Sequence, residues 1–242
     1  MNQEAAGWRL RTYESLASTS DLCRTLAAAG EPEGLAVLAR RQTAGRGSRG
    51  REWLSEPGNL FVSYLIRPSD RPADAGMWAL LAGLAAAESL DHPGIVLKWP
   101  NDLLFGGAKL GGILIDCATT AEGQLDWLVI GIGINLTCAP DIEGRAVISL
   151  GSAIPPDMLA TRIADSLSYW RRVRLLEGWG AIRTAWLARA TPIGQTMTLR
   201  QGETVVGGRF AGLGEDGSLL LQTGGRVHAF SSGEIWLENN GC

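Results

Sequence analysis

The alternation of apolar and polar positions divides the chain into two textures. Residues 8–13 alternate and predict a strand. Ser18 or Thr19 can cap a helix whose apolar positions Leu22, Leu26 and Ala29 recur at helical spacing before Gly30 and Pro32 end it. Residues 35–41 and 59–66 are short apolar runs that predict strands, and residues 73–90, dense in Ala and Leu, predict a core helix. Three further strands are expected over 95–98, 109–117 and 125–134. Their near-continuous apolar character fits a sheet covered by helices. Pro155 and Pro156 open a helical region with Leu159, Ile163 and Leu167 on one face, and a second helix covers 179–187.

After Thr191-Pro192 the pattern shortens. Residues 196–199, 204–210, 218–221, 226–230 and 234–237 are short strands between glycine turns, a rhythm that predicts a small β-barrel. The expected fold is therefore α+β: a mixed sheet covered by helices over residues 1–190, followed by a small barrel over 191–242. The 242 residues suffice for one large domain and one small one, and 45% apolar against 19% charged residues excludes global disorder. A net charge of −3 gives no general attraction to nucleic acid or anionic membrane, so any phosphate must be bound by local basic residues.

Cys23, Cys117, Cys138 and Cys242 form no CxxC pair, and His92 and His228 are far apart, so no zinc site is expected and no metal ligand is assigned. Such scattered cysteines fit a reducing cytoplasm. The polar start predicts no signal peptide, and no stretch is long and apolar enough to span a bilayer.

Four segments carry candidate chemistry. The first runs from Gln42 to Trp53 and alternates Gly45, Gly47 and Gly50 with Arg46, Arg49 and Arg51. Glycine admits close backbone approach and arginine offers a forked donor for phosphate or carboxylate, so the loop is built to wrap an anion. The plainer alternative is a solvated basic loop. The second, Lys98-Trp-Pro-Asn-Asp102, sets Asn101 to read an adenine-like edge and Asp102 to orient a neighbour or a magnesium ion, although Pro-Asn-Asp is also ordinary turn chemistry. The third, Lys109-Leu-Gly-Gly-Ile-Leu-Ile-Asp116, places one lysine at the start of an apolar strand; a solvated strand-end lysine is the alternative. The fourth, Gly131-Ile-Gly-Ile-Asn135, has glycines where a ligand or another backbone can approach, or where a bulge leads into a turn.

In order and spacing these segments resemble the biotin–protein ligase family, whose pattern is a Ser-Thr pair, QTAGRGR-x-GR-x-W, GNL, KWPND, K-L-x-GIL and G-x-G-x-N. The matching stretches are Ser18-Thr19, Gln42 to Trp53, Gly58-Asn59-Leu60, Lys98 to Asp102, Lys109 to Leu114 and Gly131 to Asn135. Gly214 to Leu221 and Ser232-Gly-Glu-Ile235 look like the family's SH3-like C-terminal barrel. The resemblance implies a class II synthetase-like fold and an enzyme that uses ATP, with Mg2+, to turn biotin into biotinyl-5′-AMP. The acyl group then passes to a lysine of a biotin carboxyl carrier protein domain.

It also implies roles. Ser18, Thr19, Ser20 and Gln42 would hold the ureido head, while Gly45, Arg46, Gly47 and Ser48 close over biotin. Lys109 and Arg46 would act on the carboxylate and α-phosphate. Arg49, Arg51, Trp53, Asn101, Asp102 and Asn135 would serve the nucleotide, with Trp53 either anchoring the loop or stacking on the base; Asp102 is also the nearest group for assisting the incoming amine. Two positions depart from the pattern: Ser48 stands where the family has arginine, and Ser20 where it has asparagine. Ser48 is expected to hold the adenylate less firmly. Only a short segment precedes Trp8, so no DNA-binding helix-turn-helix is expected; a homodimer is left open. Lipoate–protein ligase and a non-catalytic biotin-binding protein are the competing readings.

Overall fold

The computed structural model describes residues 7–237. Cys242 and the opening polar residues, both considered above, lie outside the described residues.

Seven strands form the larger sheet: β1 (Arg9–Tyr13), β2 (Leu35–Ala39), β3 (Leu60–Ile66), β4 (Ile95–Lys98), β5 (Asp102–Phe105), β6 (Ala108–Thr119) and β7 (Leu125–Ile134). Their spatial order is β1-β2-β3-β7-β6-β5-β4. Only β1 and β2 pair in parallel, joined by helix α1 (Thr19–Ala28); every other pair is antiparallel. Ser18 caps α1, its hydroxyl accepting from the Asp21 amide at 3.3 Å. Strand β5 was not anticipated. It is four residues long and follows the 99–101 turn, where the Trp99–Pro100 peptide is cis, so its pattern merges with the turn.

The pleat sends alternate residues to opposite faces. On one face Val62, Tyr64, Leu128, Ile130 and Ile132 meet α2 (Ala75–Ser89), α3 (Pro156–Glu177) and α4 (Trp179–Ala188). Helix α2 has apolar residues all round because it is enclosed all round, by the sheet and by α3 and α4. Helix α3 continues past Leu167, where Trp170 is also buried, and it ends at Gly178 with φ 78°. On the opposite face Leu35, Val37, Leu65, Trp127 and Val129 bury Cys23 and Ala27 of α1.

Strands β8 (Thr196–Gln201), β9 (Thr204–Leu213), β10 (Leu219–Thr223), β11 (Arg226–Phe230) and β12 (Glu234–Leu237) form an antiparallel sheet in the order β11-β10-β9-β8-β12. Among the described residues no β11–β12 ladder closes it into a barrel. Its inner residues Met197, Leu199, Phe210, Leu213, Leu219, Leu221 and Ile235 belong to the same buried cluster as α2. Gly217, at φ 78°, is packed against Met77 and Leu80, and its carbonyl accepts from Trp99 Nε1 at 2.9 Å.

Candidate active site

Helix α1 covers only part of its face of the sheet. The uncovered part is floored by two rows of residues running across β3, β7 and β6: Phe61–Gly133–Gly112 and Ser63–Gly131–Leu114. The 42–53 loop roofs it, leaving a narrow cleft. The β7 glycines have a steric cause. A Cβ on Gly131 would lie 2.5 Å from Ser20 Oγ, and one on Gly133 would lie 2.6 Å from Trp53 Cε2. The roof is closely seated too, since a Cβ on Gly45 would lie 2.4 Å from the Trp53 carbonyl oxygen.

One end of the cleft is a chain of neutral hydrogen bonds. Ser20 and Ser63 hydroxyls are 3.0 Å apart, and Ser63 donates to Thr19 Oγ1 at 2.9 Å. The Thr19 amide and hydroxyl both donate to Gln42 Oε1, at 2.8 and 3.2 Å, and Gln42 Nε2 donates to Ser55 Oγ at 3.2 Å. These groups hold one another in register and present fixed donors and acceptors to a neutral polar ligand head.

The other end is cationic. Lys109 Nζ lies 2.5 Å from Asp102 Oδ1, and Lys98 Nζ lies 2.9 Å from Asp102 Oδ2. Burial works against the charge on Asp102, but Lys109 and then Lys98 outweigh it and hold the carboxyl below the ordinary aspartate value. A carboxylate so paired is a poor proton acceptor, which weighs against Asp102 assisting an incoming amine. Both its oxygens face ammonium groups, which also makes it a poor magnesium ligand. Among the described residues there is no cluster of His, Cys, Asp and Glu that would hold a metal ion. Arg46 reaches the cleft from the roof, clamped by Asp116 at 2.9 and 3.2 Å and by Asp21 at 3.0 Å.

A broader groove adjoins the cleft, between the two sheets, and Ser48, Asn101 and Lys109 line both cavities. Arg49, Arg51, Arg145, Lys98, Asp102 and Glu234 line the groove. Five cations against two carboxylates leave it positive although the whole chain is acidic, so it suits a polyphosphate.

The profile of the Biotin/lipoate A/B protein ligase family matches residues 13–135, and that of the Biotin protein ligase C terminal domain matches 193–237. The chain is 34% identical over 200 residues to a biotin–[acetyl-CoA-carboxylase] ligase of Paracoccus denitrificans, covering 77% of this chain and 83% of that protein. The ligase of the same name from Mycobacterium tuberculosis is 34% identical over 248 residues, covering 95% of this chain and 90% of that one. The chain belongs to the biotin/lipoate A/B protein ligase family. A solved biotin protein ligase from Aquifex aeolicus, in complex with biotin and ATP, superposes with a TM-score of 0.80 at 27% identity, covering 95% of this chain and 98% of that one.

In this family member the structure gathers Ser18, Thr19, Ser20, Gln42, Arg46, Gly47, Ser48, Trp53, Asn101 and Lys109 around the cleft. Arg49, Arg51 and Asp102 line the groove instead, and Gly45 seats the roof on Trp53. Trp53 rests on Gly133 and Gly112, with Lys109 Nζ 5.8 Å from its ring centroid, so the indole anchors the loop to the floor. Its Nε1 is buried and has no hydrogen-bond partner. Asn101 Nδ2 donates to the Ile113 carbonyl at 2.5 Å, tying the turn to β6.

Asn135 is the exception. It is buried and lines neither cavity; its amide nitrogen donates to the Ile148 carbonyl at 3.2 Å, on the 146–150 segment that also bonds the Lys109 backbone, while its Oδ1 is buried with no hydrogen-bond partner. Ser63, Ser55, Asp21, Asp116, Arg145 and Glu234 escaped the sequence reading. Ser63 and Asp116 did leave a signal, because each alternates with cleft-floor residues along its strand.

Proposed function

We propose that this ligase activates biotin with ATP to biotinyl-5′-AMP and transfers the acyl group to a lysine on the carrier domain of acetyl-CoA carboxylase. The observation that carries this reading is the polarity of the cleft. A neutral hydrogen-bonding head site, an apolar and glycine floor, and a cationic end follow one another in the order of ureido ring, aliphatic arm and carboxylate. The names of the relatives, and the biotin and ATP bound in the Aquifex protein, support it.

Thr19, Ser20 and Gln42, with Ser63 behind them, bind the ureido group. Lys109 holds the biotin carboxylate beside the α-phosphate, and Asp102, itself paired with Lys98, holds Lys109. The carboxylate oxygen attacks the α-phosphorus, the bond to the β-phosphate oxygen breaks, and pyrophosphate leaves. Charge that builds on the phosphate oxygens is met by Lys109, and by Arg46 once its guanidinium leaves Asp116 and Asp21, and a single such donor is typically worth about 10²–10³ in rate. The acceptor amine then attacks the anhydride carbonyl, AMP leaves with its bonding electrons, and the amine proton passes to solvent. No side chain acts as a nucleophile. ATP enters as its magnesium complex, the metal bound to substrate phosphates. ATP supply and free thiols at Cys23, Cys117 and Cys138 favour the cytoplasm.

Pyrophosphate exchange into ATP, run in parallel with biotin and lipoate, tests the reading, with mass spectrometry of the modified carrier lysine as the second step. Exchange driven by biotin is expected. Exchange driven by lipoate alone would transfer the chain to the lipoate branch, and none with either acid would remove the enzymatic reading.

A further inference from the structure

The 47–51 turn is closed on itself. The Gly47 amide donates to the Arg51 carbonyl at 2.7 Å, and Arg51 returns Nε to the Ser48 carbonyl at 3.2 Å and a terminal nitrogen to Ser48 Oγ at 3.1 Å. Wherever the Arg51 guanidinium is held, Ser48 is held at the lip shared by cleft and groove. What holds it is in the other sheet. Glu234 Oε1 is 2.5 Å from Arg51 and 2.9 Å from Arg145, and its Oε2 is 3.4 Å from Arg49. Arg49 sits at the apex with φ 60°, a backbone conformation uncommon for a non-glycine residue, and its side chain is directed to the same carboxylate.

Glu234 is itself firmly placed. Gly233 before it lets the chain pack on Leu199, Glu234 pairs with Arg200 across β8, and the next carbonyl, of Ile235, accepts from Lys98 Nζ at 3.2 Å. At its other end the loop is pinned by Arg46 to Asp116 and Asp21, both outside the second sheet. The roof is thus strapped between two units.

We propose that Glu234 is a positioning residue: by holding Arg51 and Arg49 it sets where the glycine–arginine loop lies over the cleft, so the C-terminal sheet governs how firmly the acyl-adenylate is retained. This rests on the ligase reading above. Partly exposed ion pairs add little to global stability, so the effect belongs to the loop rather than to the fold. Burial opposes the Glu234 charge, but the Arg51 hydrogen bond and the charges of Arg51, Arg145 and Arg49 keep its carboxyl below the usual glutamate value, and the strap remains charged at neutral pH. Ser48 offers the loop only a neutral hydroxyl, which leaves the charged tether to Glu234.

The test uses the full chain and the Glu234→Gln and Glu234→Asp variants. Hydrogen exchange is followed over residues 46–53 with no ligand added, and the escape of biotinyl-5′-AMP is timed after biotin and MgATP are mixed. Glu234→Gln is expected to raise exchange in 46–53 several-fold, leave β8 and β12 protected, shift the melting temperature little, and speed adenylate escape. Glu234→Asp should fall between it and the parent. Unchanged exchange over 46–53 would overturn the proposal. Exchange raised equally across β8 and β12 would also overturn it, since Glu234 would then be a structural residue of its sheet. A parent that forms no adenylate would sink the ligase reading alone, and the exchange comparison would still decide whether the tether exists.

Discussion

Gly133→Ala probes the roof of the cleft through its floor. The added Cβ would lie 2.6 Å from Trp53 Cε2 and 2.9 Å from Cζ2 and Nε1. Carbon–carbon contacts settle at about 3.5–4.0 Å, so roughly 1 Å of separation must be found. Strand β7 cannot supply it, being bonded to β3 on one side and β6 on the other. The indole must move, and with it the loop that joins Trp53 to Gly45 through a 2.9 Å backbone hydrogen bond. Overpacking costs about 1–3 kcal/mol, and a loop that can lift should keep the loss near the lower end. For a chain of this size that is a fall of about 2–4 °C in melting temperature per kcal/mol.

The effect on chemistry should be larger. A displacement of about 1 Å can cost roughly 10²-fold in rate, because Arg46, Gly47 and Ser48 ride on the same loop. Calorimetry and biotin-dependent pyrophosphate exchange read the two effects. The double variant Gly133→Ala with Trp53→Ala should regain stability over the sum of the singles, since the clash vanishes with the indole; a coupling of about 1 kcal/mol or more is expected for residues in contact. Strict additivity, or a Gly133→Ala variant with parental exchange activity, would refute the reasoning.

Lys109→Ala should lose about 10²–10³ in adenylation yet fold, because Asp102 keeps Lys98 at 2.9 Å. Its stability should fall by about 1–2 kcal/mol rather than the 3–5 kcal/mol of a wholly unpaired buried charge. Near-normal exchange activity would make Lys109 a bystander. Because the Asp102 carboxyl is depressed in the fold, its contribution is fully present above the unfolded value of about 3.9 and drains away as pH falls through the lower folded value. Urea unfolding from pH 7 down to about 3 should therefore show the parent's advantage over Asp102→Asn shrinking at the acid end. A constant gap across that range would contradict the pairing.

The cleft was legible in the chain because the residues that line it sit in short motifs whose glycines announce a close approach, even where the approaching group lies far away in sequence. Gly131 and Gly133 must be glycine because Ser20 and Trp53 approach them, and Ser18 caps its helix through an amide three residues on. What could not be read is what depends on pairing across distance. Glu234 and Arg51 are 183 residues apart, and nothing in either neighbourhood names the other. Asn135 is ambiguous for a different reason. An amide at a strand end suits a base equally well as it suits the carbonyl of a passing segment, and here Nδ2 meets the Ile148 carbonyl while Oδ1 is left without a partner.

The single buried cluster that joins α2 to the second sheet limits how this protein can move. Met77 and Leu80 are packed against Gly217, and Met197, Phe210 and Leu221 share the interior of the main sheet. Swinging the smaller sheet away as a lid would tear apolar surface open to water, at about 25 cal/mol for each Å² exposed. Breathing must instead be confined to segments that carry little of that cluster, the glycine–arginine loop and the 137–147 stretch at the groove's edge. Substrates then enter and products leave through a gap whose width is set by two short loops, while the body of the molecule stays still.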